Sequence, residues 1–138
     1  KVMKKDDMLF GYRKSVFSEN SCAVLSATFA LKNGSAQEIK SKMDDFMSRR
    51  KSKQPLEYPS AGSVFKRPEG YFAGALIEEC SLKGFSIGGA QVSEKHAGFI
   101  INKGSASAKD VMDLIEYIKD KVLKEKGVKL EPEIKLIG

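Results

Sequence analysis

Tryptophan is absent from this 138-residue chain, histidine occurs once, at His96, and cysteine only twice, at Cys22 and Cys80. Each shortage removes a class of function. One histidine and two distant cysteines leave no group at metal-ligand spacing, so no zinc or other metal site is expected. The cysteines lie far apart in apolar surroundings and read as small core residues, not as a disulfide. No run reaches the roughly 18 to 20 apolar residues of a membrane span, and the charged opening, residues 1–7, holds no signal-peptide core. The expectation is a soluble, cytoplasmic protein. Gly88 and Gly89 follow a strand pattern, yet the third glycine and the downstream acid of a dinucleotide fingerprint are missing, so they read as a tight turn. Neither a phosphate-cradling loop nor a Ser-His-Asp order is present.

What the chain does have is a domain-sized hydrophobic fraction, 41%. At this length folding would bury roughly two-thirds of the unfolded surface, enough for one real core. Twenty-four Lys and Arg against 18 Asp and Glu give a net charge of +6, which favours anionic partners in general. The densest basic run, Arg49-Arg50-Lys51-Ser52-Lys53, carries no interleaved aromatics, unlike an RNA-binding surface. It reads either as a solvated helix end or as a phosphate-contacting run.

Along the chain, residues 22–31 are rich in strand-favouring types and end at the turn Asn33-Gly34. Ser35 and Glu38 have capping-box spacing, and Ile39, Met43, Phe46 and Met47 recur at helical intervals, so an amphipathic helix is predicted over residues 36 to about 50. Residues 54–62, with Pro55, Pro59 and Gly62, read as an extended connector, which sets a boundary between residues 1–53 and 54–138. Beyond it come a short strand at 63–66, a helix at 71–80 and strands at 84–92 and 98–102. A long helix follows, capped by Ser105 or Ser107, striped by Val111, Leu114, Ile115, Ile118 and Val122, and stopped by Gly127. An alternating strand over 128–137, with Pro132 marking an edge or bulge, completes the chain. Helices and strands mix without a regular βαβ rhythm, so the class is α+β, with small mixed sheets and packed helices.

Three polar residues break the packing logic: Ser63 just after a glycine at a strand's mouth, Glu133 inside an apolar terminal segment, and Arg13 beside Tyr12. Polar groups so placed need partners or a task. A turn serine, a solvent-facing glutamate and a surface arginine are the plain alternatives.

Three separated motifs, in order, carry a resemblance. Tyr58-Pro-Ser-Ala-Gly-Ser-Val-Phe-Lys-Arg-Pro-Glu-Gly-Tyr-Phe-Ala-Gly74, continued by Leu82-Lys-Gly-Phe-Ser-Ile-Gly-Gly-Ala-Gln-Val-Ser-Glu-Lys-His-Ala-Gly-Phe-Ile-Ile-Asn102, is similar to the signature of the UDP-N-acetylenolpyruvoylglucosamine reductase family. Upstream, Gly11-Tyr-Arg-Lys-Ser15 resembles the family's Tyr-Arg-Asp-Ser motif, with Lys14 in place of the aspartate. Downstream, Leu130-Glu-Pro-Glu-Ile-Lys-Leu-Ile-Gly138 resembles its closing strand. The short run from Gly70 to Gly74 is similar to the variant that lacks an extra substrate-covering loop.

The resemblance implies a flavoenzyme of peptidoglycan synthesis that passes a hydride from NADPH through FAD to an enolpyruvyl ether. It implies Ser63 as the proton donor, and Arg13 and Glu133 on the substrate carboxylate. Lys53 and Arg67, the latter asparagine in some members, would contact the diphosphate of UDP-N-acetylglucosamine enolpyruvate, and His96 would face the sugar nucleotide. Residues 1–53 would then be the end of the second FAD-binding domain and residues 54–138 the substrate-binding domain. The missing N-terminal half of the enzyme would hold most of the flavin and act as this chain's partner; no membrane or nucleic acid is expected as one. Two other readings stay open: a non-catalytic UDP-sugar binding module and a basic nucleic-acid-binding domain.

Overall fold

The computed structural model describes residues 1–11, 14–18 and 22–137. The chain separates into two compact units, Lys1–Ser35 and Ala36–Gly138. The first holds two single-turn 3-10 helices, Lys5–Met8 and Val16–Ser18, and a bridge between Gly11 and Lys14. Residues 22–31, expected as a strand, have no regular structure, and Leu25, Phe29 and Leu31 stand in solvent. Strand preference is a preference for a pleated, half-buried surface with neighbours on both sides, and no described strand pairs with this segment. Cys22 is correspondingly exposed rather than in a core; Cys80 is buried as expected.

The second unit opens with helix α1, Ala36–Lys53, three residues longer than its apolar pattern predicts. Ile39, Met43, Phe46 and Met47 keep their helical spacing, but none of α1 is buried. Next come strand β1, Ser60–Ser63, helix α2, Ala73–Glu79, strands β2, Ser86–Ile87, β3, Ala90–Val92, and β4, Phe99–Asn102, and helix α3, Ala108–Lys126. The four strands form one antiparallel sheet in the order β1-β4-β3-β2, and the class is α+β.

Helix α3 shows why the pattern was readable. Ser107 Oγ accepts the Asp110 amide at 3.1 Å while Asp110 Oδ2 accepts the Ser107 amide at 3.0 Å, so two otherwise unpaired donors of the first turn are satisfied. Leu114, Ile115, Ile118 and Val122 are fully buried on one stripe. Each such burial contributes about 1.5–3 kcal/mol before chain entropy is charged against it. Gly127 takes the left-handed cap conformation and its amide bonds the Leu123 carbonyl at 2.9 Å.

The stripe packs on β2, β3 and α2, and with Val64, Leu76, Ile77, Leu82, Val92 and Ile100 it forms the core. The Gly88-Gly89 pair is the β2–β3 hairpin turn, as its sequence suggested. The turn lies against the start of α3: the Gly89 amide donates to Asp110 Oδ2 at 3.3 Å, and a Cβ on Gly89 would run into the backbone of Ala106. Phe85 stacks on Tyr117 at 4.5 Å between ring centres and ties the same hairpin to the middle of α3.

The C-terminal segment is not the full strand its alternation predicted. It makes one bridge, Phe65 opposite Pro132, flanked by Lys66 N to Glu131 O at 2.8 Å and Glu133 N to Val64 O at 2.7 Å. Pro132 thus occupies the position from which no ladder hydrogen bond is asked, which is where a residue without an N–H fits.

Candidate functional site

Ser63 is the last residue of β1, opposite Phe99 at the start of β4. The register slips between Ser60 and Ser63, and Gly62, at φ 88, holds the conformation that the slip requires. A bulge of this kind turns the following side chain away from the face that strict alternation would give it. Ser63 is exposed.

The end of the sheet that carries Ser63 gathers small residues around an imidazole. A Cβ on Gly98 would stand 3.7 Å from Ser63 Oγ and 3.0 Å from His96 Cε1, so hydroxyl and ring flank one point. A Cβ on Gly74, in the first turn of α2, would stand 3.3 Å from the same ring carbon. His96 is half-buried in the turn between β3 and β4 and lies edge-on to Phe99, 5.0 Å between ring centres. Its Nδ1 accepts the Gly98 amide at 3.1 Å. Glu133 joins this end through its backbone, since its amide bonds the carbonyl of Val64, the residue after Ser63.

Arg67 stands further along the same connection. Its guanidinium lies 4.0 Å from the centre of the Phe72 ring, and its Nε donates to the Tyr71 carbonyl at 3.3 Å. Phe72 is the N-cap of α2, so the arginine and the His96 neighbour Gly74 are held by the two sides of one helix start. Arg67 lines an open cleft of about 550 Å³ with Lys66, Tyr71, Lys126, Lys129 and Glu131. Lys66 pairs with Glu131 at 3.2 Å and Lys126 with Glu79 at 2.8 Å, and that carboxylate holds the Lys126 ammonium above its ordinary value. The lining also holds Glu69; with Lys66 and Lys126 paired, the cations Arg67 and Lys129 outnumber it and leave the cleft weakly positive.

Lys53 ends α1 and is exposed. At the other end of β1, Lys103 Nζ bonds Tyr58 Oη at 3.1 Å, and Lys95 pairs with Glu57 at 3.3 Å. The Glu57 carboxyl is held below its usual range by its own backbone N–H first and by Lys95 second. Arg13 lies outside the described residues. Ser63, His96 and Glu133 are therefore brought to one end of the sheet, Arg67 is linked to it through α2, and Lys53 stands on a separate helix. Sequence reasoning passed over Ser93, Gly74 and Gly98, which shape the His96 position. The only written signal was that Gly98 follows His96 by two residues.

The fold and this arrangement define an α+β domain with a hydroxyl, an imidazole and a carboxylate-bearing segment at one sheet end beside a weakly positive cleft. The family model for the C-terminal domain of UDP-N-acetylenolpyruvoylglucosamine reductase matches residues 54–137. The chain belongs to that reductase family. It is 58% identical over 138 residues to the UDP-N-acetylenolpyruvoylglucosamine reductase of Caldanaerobacter subterraneus subsp. tengcongensis, covering 99% of this chain and 45% of that protein. It is 54% identical to the one from Clostridium perfringens strain SM101, covering 100% of this chain and again 45% of the relative. The solved UDP-N-acetylenolpyruvylglucosamine reductase of Thermus caldophilus matches with a TM-score of 0.72 at 35% identity, over 94% of this chain and 46% of that one. The chain thus spans less than half the length of these relatives. No described helix is long and apolar enough to cross a membrane.

Proposed function

We propose that the chain is the substrate-binding part of a cytoplasmic flavoenzyme that reduces UDP-N-acetylglucosamine enolpyruvate to UDP-N-acetylmuramate for peptidoglycan synthesis, with NADPH as reductant and FAD as carrier. The observation that carries this reading is the approach of Ser63 and His96 around Gly98, in a chain 58% identical along nearly its whole length to a protein named for that reduction. In this reading residues 1–53 close a flavin-binding domain and residues 54–138 hold the substrate; the start of the family match at residue 54 supports that division.

The described residues offer no flavin cradle. The one glycine pair is filled from below, a Cβ on Gly88 meeting the Asp110 carboxyl and one on Gly89 meeting the α3 backbone, and the open cleft is lined by charge. Most of the flavin binding is therefore assigned to the N-terminal half of the enzyme, the partner of this chain.

This chain's own residues answer the other half of the chemistry. Reduction of the enolpyruvyl double bond puts negative charge on the α-carbon and its carboxylate, so the site needs donors on that carboxylate and an acid beside the carbon. Ser63 Oγ holds the proton: its O–H bond breaks as the new C–H bond forms, and the alkoxide left behind takes a proton from water. A hydroxyl is a weak acid, so the step requires the carbon to be strongly basic and the serine to be fixed, which the β1 bulge provides. Arg13 and Glu133 bind or polarise the carboxylate, which lowers the energy of the charge that develops there. Lys53 and Arg67 take the diphosphate, and His96 faces the sugar nucleotide.

The test is calorimetric titration of the chain with UDP-N-acetylglucosamine enolpyruvate, repeated with FAD and with Lys53→Ala. Binding of the sugar nucleotide, its loss in the variant and no heat from FAD are expected. Absence of sugar-nucleotide binding both here and in this chain recombined with the N-terminal half of a relative would sink the proposal.

A further inference from the structure

His96 is the only histidine in the chain, and three features fix its ring. Ser93, 1% exposed, uses its Oγ to accept the amides of Lys95 at 3.2 Å and His96 at 3.3 Å, which closes the turn that presents the imidazole. The Gly98 amide donates to Nδ1 at 3.1 Å. Phe99 lies edge-on to the ring, and a Cβ at Gly74 or Gly98 would crowd it, standing 3.3 Å and 3.0 Å from Cε1.

A nitrogen that accepts a backbone N–H carries no proton of its own, so the neutral ring must be protonated at Nε2. Nε2 has no partner among the described residues. We infer that His96 is held as a single tautomer whose Nε2–H is a fixed, neutral hydrogen-bond donor to an oxygen of the UDP-sugar, and that Ser93 is the positioning residue that sets it. The inference rests on the proposed substrate for its ligand, though not for its tautomer. It separates two tasks at this end of the sheet: Ser63 gives up a proton, whereas His96 keeps its own. The backbone donor on Nδ1 withholds the second nitrogen from proton relay, so the ring selects for acceptor oxygens instead of shuttling protons.

A sample labelled with nitrogen-15 in histidine gives two ring signals that belong to His96 alone. At a pH where the ring is neutral, Nε2 should appear as the protonated, pyrrole-type nitrogen and Nδ1 as the pyridine-type one, and UDP added as probe should shift Nε2 more than Nδ1. Ser93→Ala should collapse the pair towards averaged, mixed-tautomer positions, and Ser93→Thr should restore the separation. Averaged signals in the wild-type chain, or a protonated Nδ1, overturn the inference without any variant having to fold. UDP that shifts backbone amides but leaves Nε2 in place overturns the donor role alone. UDP that shifts nothing, here or with the N-terminal half of a relative present, removes the substrate reading, and the donor role with it.

Discussion

Phe65 and Pro132 face each other across a single antiparallel bridge, and the hydrogen bonds on either side, 2.8 Å and 2.7 Å, join the Lys66–Glu131 ion pair at 3.2 Å in fastening the C-terminal segment to the strand leading out of Ser63. Glu133 thereby has two separable parts. Its amide secures the segment, and its side chain is the candidate functional group.

Glu133→Pro removes the amide and should lower stability by about 1–3 kcal/mol, the cost of a lost backbone bond with an orphaned Val64 carbonyl. Glu133→Gln keeps the amide and should change stability by less than about 0.5 kcal/mol while cutting turnover of the recombined enzyme. Urea unfolding of both variants and a turnover assay of the second check the division. A loss of stability in Glu133→Gln as large as in the proline variant would refute it.

Gly89→Ala should destabilise the second unit by about 1–3 kcal/mol, since the new methyl group meets the Ala106 backbone rather than a side chain that can swing away. Urea midpoints of the wild-type chain and the variant decide it, and an unchanged midpoint would mean that the hairpin turn does not bear on α3.

Acid should weaken the same junction. Asp110 is held below its ordinary carboxylate value by the amides of Ser107 first and Gly89 second. A group whose folded value is depressed contributes stability above its unfolded pKa of about 3.9, and that contribution disappears as pH falls through the lower folded value. The unfolding midpoint of the wild-type chain should therefore drop between pH 5 and about pH 2 more steeply than that of Asp110→Asn, which has no carboxyl to titrate. Parallel curves would remove Asp110 from the account.

Ile118→Ala, at a fully buried position of α3, should cost about 2–5 kcal/mol. Met43→Ala, on α1 where the side chain is 64% exposed, should stay within about 0.5 kcal/mol. Thermal melts of the two variants measure the contrast directly.

These contrasts follow how far each element was legible. Helix α3 was readable from its stripe because burial, cap and stop all act within one segment, and Ser107, Leu114 and Gly127 each say the same thing locally. Residues 22–31 and 128–137 carry equally strong strand patterns, but a strand is completed by its neighbour, and no sequence pattern states which neighbour is present. Among the described residues the second of these segments finds residues 64–66 opposite it. At the site, Ser63 and Glu133 were legible as polar residues in apolar company. Ser93 was not, because a buried serine accepting two amides has the same letters around it as a surface turn. The His96 tautomer depends on an amide two residues away curling back to the ring, a matter of three-dimensional placement. Arg13, legible as an oddity and as part of a motif, lies outside the described residues.

Helices α1 and α3 have nearly the same length, 18 and 19 residues, yet they should keep time differently. With no residue of α1 buried in this chain, its hydrogen bonds rest on the helix–coil balance and on surface pairs such as Arg49 with Asp45 at 2.8 Å, and for a segment about 27 Å long that balance is close to even in water. Deuterium should enter its amides through local fraying within moments of dilution, while those of α3, from Leu114 to Val122, wait for the whole unit to open.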